Sequence, residues 1–116
     1  MPATIWVSQA HSVKYKMASA TTGSVRFEGF VMAVTDGDAQ DVDADAFAAT
    51  NSAGDTVPGT AGFLGEFTIT LTNADSLAAN DFVVIRLNRD ADGTTGTDDA
   101  TGDCEVVAAT LEYTTT

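Results

Sequence analysis

Glu66-Phe67-Thr68-Ile69-Thr70-Leu71-Thr72 alternates polar and apolar residues without a break. In an extended chain successive side chains point to opposite faces. Phe67, Ile69 and Leu71 therefore share one face, while Glu66 and the threonines share the other. Thr is branched at Cβ and suits a pleated, half-solvated surface better than a helix interior. The stretch reads as a strand buried on one side, and the same period of two recurs through the chain. Residues 81–89 place Val83, Ile85 and Leu87 on one face. Residues 12–17 set Val13, Tyr15 and Met17 against Lys14 and Lys16. Ser24 to Val34 sets Val25, Phe27 and Val31 against Arg26 and Glu28, and its far end, with Phe30 and Met32, is apolar on both faces. A strand covered on both sides accounts for that end. Residues 3–8 and 104–113 complete a set of six strands, and helical periodicity is weak throughout.

Residues 36–62 differ in kind. Asp36-Gly37-Asp38 opens a loop, Asp43 to Thr50 offers about two helical turns capped by Asp43 or Asp45, and Pro58-Gly59 marks a turn-rich end. So long an excursion is expected to cross between two sheets, as in Greek-key and jelly-roll folds. The expectation is an all-β fold: an antiparallel β-sandwich, jelly-roll-like, with one short helical segment in the 36–62 crossover. Six strands are fewer than the roughly eight of a full jelly roll, so either 36–62 holds further short strands or an edge is completed by a neighbouring subunit.

The chain has 116 residues, enough for one core, so 1–116 is read as a single domain. Seventeen acidic residues against five basic ones give a net charge of −12. Such a surface repels phosphate backbones and anionic lipid, which argues against nucleic-acid and membrane partners. One cysteine, Cys104, leaves no internal disulfide and no zinc set. No stretch reaches the ~18 apolar residues of a membrane helix, and Met1-Pro2-Ala3-Thr4 lacks the basic-then-apolar order of a secretion signal.

His11 is the one histidine, and no local motif gives it the carboxylate and nucleophile that hydrolytic catalysis needs. Paired carboxylates within glycosidase reach arise by chance among so many acids. No enzyme is expected. The sharper candidate is calcium at Asn88, Asp90, Asp92 and Asp99, whose spacing around Gly93 follows an EF-hand-type loop. Strands, however, flank it where helices belong, and Asp stands where Glu is usual. The competing reading is a solvated turn, and no cofactor is expected, with calcium as the exception to test. The run Asp36, Asp38, Asp41, Asp43 and Asp45 is read as a solvated face. Trp6, Tyr15 and Tyr113 are the aromatics that a carbohydrate site would use. Trp6, Phe30 and Met32 are instead the expected interface residues, Trp6 because Trp is enriched at hot spots.

Several strings resemble small β-sandwich structural proteins of tailed bacteriophages, many of them marine or environmental. They are Asp81 to Asp92 (DFVVIRLNRDAD), Ala100 to Val107 (ATGDCEVV), Ala18 to Phe27 (ASATTGSVRF), Met32 to Asp36 and Asp55 to Thr60. Together they span most of the chain from Val13 onward. They depart from the family pattern at Asn80-Asp81, where Gly-Asp is usual, and in the short stretch of residues 1–12 before Val13. The resemblance implies a non-enzymatic virion surface protein: a capsid decoration or cement protein, a fibre or a tail-surface domain. Implied partners are further copies of the chain, as trimer or dimer, and virion proteins such as a major capsid protein. The competing class is a carbohydrate- or cell-surface-binding β-sandwich module assisted by calcium.

Overall fold

The computed structural model describes residues 6–39 and 41–115, with side chains at 10–39 and 41–112. The first half of the expected strand 3–8 and the side chains of Trp6 and Tyr113 lie outside the described residues. Six strands follow one another: β1 (Trp6–Met17), β2 (Ser24–Val34), β3 (Asn51–Thr56), β4 (Gly65–Thr70), β5 (Phe82–Arg89) and β6 (Cys104–Thr115). They form two antiparallel three-stranded sheets, in the orders β4-β1-β6 and β3-β2-β5.

The alternation that defines each strand also fixes what it buries. On β4, Gly65, Phe67 and Ile69 are buried and the residues between them are exposed. On β1, Val13, Tyr15 and Met17 are buried, and on β2, Val25, Phe27 and Val31. These residues, with Leu71, Val57 and Ala100, make one core between the two inner faces. Phe67 is its centre: its ring lies 5.7 Å edge-on from Tyr15 and 5.3 Å from Phe27. Each such ring pair adds about 0.5–1.5 kcal/mol beyond the area it buries. The buried Tyr15 donates its hydroxyl hydrogen to Asp55 Oδ2 at 2.6 Å, tying β1 of one sheet to β3 of the other.

Two expectations change. Residues 12–17 belong to one long β1, with no break after Ser8. The expected helical turns over 43–50 are absent, and the described residues contain no helix. The local cause is Asp chemistry. Asp41 Oδ1 takes the Asp43 N–H at 3.0 Å and Asp45 Oδ1 takes the Ala46 N–H at 2.9 Å. Asp41 thereby caps a single turn, its carbonyl accepting the Ala44 and Asp45 N–H groups at 2.9 and 2.8 Å, and the turn ends where the Asp45 side chain takes the next N–H. The Ala48 N–H then goes to the Val31 carbonyl of β2, so the segment enters β3 as extended chain. Residues 36–50 thus return to the sheet they left, and the crossing to the other sheet is made by 57–64.

That return covers the far end of β2. Met32 is buried, Phe47 meets Phe30 edge-on at 6.3 Å, and the Arg86 guanidinium lies 4.1 Å from the Phe30 ring centre and 5.0 Å from that of Phe47. A cation over an aromatic face contributes about 0.5–1 kcal/mol at an exposed site. The loop after β4 is pinned by buried Asn51, whose amide donates to the Gly29 and Asn73 carbonyls and accepts from the Asn73 N–H.

Gly65 permits the closest approach in the core. A Cβ there would stand 2.5 Å from Tyr15 Cζ, inside the ring that fills the space. Gly65→Ala is expected to cost about 1–3 kcal/mol by overpacking in urea unfolding. Gly59→Ala, with nothing within 4 Å, should stay within about 0.5 kcal/mol of the parent.

Candidate functional site

Three features stand out on the surface: the 90–103 loop, a polar depression beside it, and the outer edge of β6. The loop is organised by a residue that the alternation of β5 points inward. Arg89 follows Val83, Ile85 and Leu87 in register and pairs with Phe27 of β2. An inward arginine needs a carboxylate, and Asp98 supplies it through a fork. Arg89 Nε donates to Asp98 Oδ2 at 2.9 Å and Nη2 to Oδ1 at 2.8 Å. Two further guanidinium hydrogens go to the Gly102 and Ala100 carbonyls, each at 2.7 Å. Asp98 also accepts the Arg26 N–H at 2.9 Å, and its side chain is only 2% exposed. Burial pushes the Asp98 carboxyl up, but the Arg89 and Arg26 hydrogen bonds outweigh it and hold it below its ordinary value. The hydrogen bonds that Arg89 donates to Asp98 in turn raise its guanidinium. Parity along β5 was the signal in the sequence, since Arg89 falls on the apolar face.

The acids read as calcium ligands have other partners. Asp90 is 3% exposed. Its Oδ1 accepts from the Thr94 N–H and hydroxyl at 3.2 and 3.1 Å, and its Oδ2 from those of Thr95 at 2.7 and 2.5 Å. Hydrogen bonding, first from the Thr95 hydroxyl, draws the Asp90 carboxyl far below its usual range. Asp99 Oδ1 accepts the Ser24 N–H at 2.7 Å, Asp92 is exposed, and Asn88 stands opposite Glu28 on β2. Among the described residues no three His, Cys, Asp or Glu side chains are grouped to hold a metal ion. The 36–45 run behaves likewise: Asp38 caps the Thr35 N–H, and Asp41 and Asp45 bond backbone N–H groups beside them.

Beside the loop, Ser24, Arg26, Gly54, Asp55, Thr56 and Thr97 line an open polar depression of about 280 Å³. Arg26 reaches Ser52 Oγ from Nη2 at 2.9 Å. Gly96 lies against it so closely that a Cβ there would be 2.7 Å from Nε.

The third feature is β6. Among the described residues it borders β1 on one side and no strand on the other. Residues 105–110 are all exposed, with Val106 at 43% and Val107 at 54%. A register shift between Lys14 and Tyr15 leaves Val107 as the extra residue of a bulge. The sheets come together at β3 and β4, while β6 inner-face residues such as Val106 and Ala109 stay open. Of the expected interface residues, Phe30 is half-buried against Phe47 of the 36–50 segment, Met32 is buried, and the Trp6 side chain is outside the described residues. Tyr15 lies in the core, and Cys104 packs half-buried beside it, where burial pushes its thiol up.

His11 lies on β1 between Ile69 and Leu111, 5% exposed, and its Nδ1 meets no hydrogen-bond partner. Burial lowers its pKa from 6.5, because the charged ring loses its water.

Two predictions follow from these contacts. Arg89→Met leaves the Asp98 carboxylate buried and unpaired, and should cost about 3–5 kcal/mol in chemical denaturation. Neutral His11 is favoured in the fold, so its contribution is whole above pH 6.5 and is lost as pH falls below 6.5 toward the lowered folded value. The lowered Asp90 and Asp98 carboxyls add a second loss below their ordinary 3.8. Melting temperature against pH should therefore fall in two steps, and His11→Gln should erase the upper one only.

No family model, no curated protein and no solved structure matches this chain.

Proposed function

We propose that this chain is a non-enzymatic structural protein of a virus particle surface, a capsid decoration or cement protein or another capsid or tail surface component. It works by subunit assembly in a jelly-roll-like β-sandwich. The observation that carries assembly is the edge of β6, a long strand whose residues 105–110 are all exposed and whose outer side pairs with no strand among the described residues. Natural sheets blunt such edges unless something covers them. The likeness of residues 18–27, 32–36, 55–60, 81–92 and 100–107 to tailed-phage surface proteins supplies the particle. Its partners are then its own copies, as dimer or trimer, and a major capsid protein or similar shell component. The Asp-rich loops face solvent in this role.

A second reading, a carbohydrate- or cell-surface-binding module, is favoured by the polar depression around Arg26. A calcium ion in the 88–99 loop would assist it.

The two readings are separated by where the protein is found and what removes its binding. An antibody against the chain should label intact virus particles purified from the source that carries the gene, and should follow them through a density gradient. Label confined to cells sinks the virion reading. Glycan-array binding that Arg26→Ala abolishes would put the second reading in its place. A melting temperature that falls on chelation would add calcium to either, since an ion that binds only the folded state stabilises it.

A further inference from the structure

From Val106 to Leu111, β6 reads Val-Val-Ala-Ala-Thr-Leu, six residues with no charge on a chain of net charge −12. Val106 through Thr110 are exposed, and Leu111 is half-buried. The flanking Glu105 is engaged by Lys16 of its own chain at 3.2 Å. We propose that two copies of this chain pair β6 to β6 about a two-fold axis. The two β4-β1-β6 sheets then become one continuous six-stranded antiparallel sheet. The proposal rests on the assembly reading and names the contact through which it begins.

Charge argues for a second copy as the occupant. Two chains of −12 repel over most of their surfaces, and like charges set opposite each other across strands are destabilising. Contact between them forms where acids are absent, and this run of β6 is such a strip on an open edge. A cationic partner would find nothing there to hold it. A two-fold also follows from pairing identical antiparallel strands, because residue i then meets j while j meets i. Centred on Ala109, the axis sets Val107 against Leu111 and Ala108 against Thr110. Glu105 then faces Tyr113 rather than Glu112.

Twelve residues of strand run for about 40 Å at ~3.4 Å each, and the open inner-face residues beside the edge, Val106 and Ala109, add side-chain contact to the backbone pairing. The bulge at Val107 does not close the edge, since the strand continues to Thr115 beyond it.

Sedimentation equilibrium of the full chain over a wide concentration range tests the proposal. The expected mass is that of two copies. Ala109→Glu, which sets two carboxylates on the axis, and Val107→Glu should each weaken association by at least ~100-fold, with unchanged circular dichroism. Val42→Glu, at an exposed position of the 36–50 segment, should leave the mass at two copies. Amides of β6 in the parent should also gain hydrogen-exchange protection as concentration rises. A parent that stays monomeric to about 1 mM, or that gives three copies or an open series of masses, overturns the proposal. Two-copy mass retained in both β6 variants overturns it too, while leaving assembly through another surface intact. A β6-dependent dimer that never labels virus particles would leave the pairing standing and remove the virion reading alone.

Discussion

The fork between Arg89 and Asp98 is the constraint on which the second half of the molecule hangs. Residues 90–103 must carry the chain from the end of β5 in one sheet to the start of β6 in the other. They contain no strand to hold them and no apolar run to collapse. One guanidinium solves this by spending its hydrogens on Asp98 and on the Ala100 and Gly102 carbonyls. Asp98 passes the restraint to β2 through the Arg26 N–H, and Asp99 adds the Ser24 N–H. Ala100 is thereby set into the core and Cys104 is delivered beside Met17, where β6 begins. Pairs of this kind bring little net stability over an apolar substitute, but they are costly to break and they specify one arrangement.

The same logic recasts the acidity of the chain. A net charge of −12 first suggests a solvated coat. Yet at least nine of the thirteen aspartates accept hydrogen bonds from backbone N–H groups or from hydroxyl or guanidinium donors. Asp75 takes the Ala33 N–H at the end of β2, and Asp81 takes the Thr35 hydroxyl and the Ala78 N–H. Asp is short enough to fold back on its own turn, which Glu is not. Loops built this way need no helix and little core, and their composition imitates a metal site without grouping the carboxylates.

Sheet-forming segments were legible wherever one face is apolar. β2 and β5 fall within a residue of the boundaries their alternation predicts, because burial on one side enforces a period of two. β3 was not legible. Asn51-Ser52-Ala53-Gly54-Asp55-Thr56 carries no strand-forming pattern, and tertiary demands place it: β2 pairs along its length, Asn51 is fixed by the Asn73 loop, and Asp55 meets Tyr15. The helix expected at 43–50 failed for a related reason. Ala-rich composition favours a helix, but Asp41 and Asp45 spend the local N–H groups and Val31 claims Ala48. Of the site, the Asp-rich loop was visible and its organising arginine was not, although Arg89 lies on the inward parity of β5. The free edge of β6 was legible only as a shortage of strands, since which strand ends a sheet depends on pairing order.

That pairing order also sets when the molecule can be completed. β1 is the central strand of its sheet, yet both of its neighbours come from far along the chain: β4 begins at Gly65, and Thr115 of β6 pairs with Trp6. The β3-β2-β5 sheet can close once Arg89 has been made, while β1 waits with one flank open until β6 has been made. Such distant pairings carry a large loop-closure entropy and fold slowly. Until then β1 is exposed on that flank, with Val13, Tyr15 and Met17 along it, and the partly made chain is vulnerable to aggregation there.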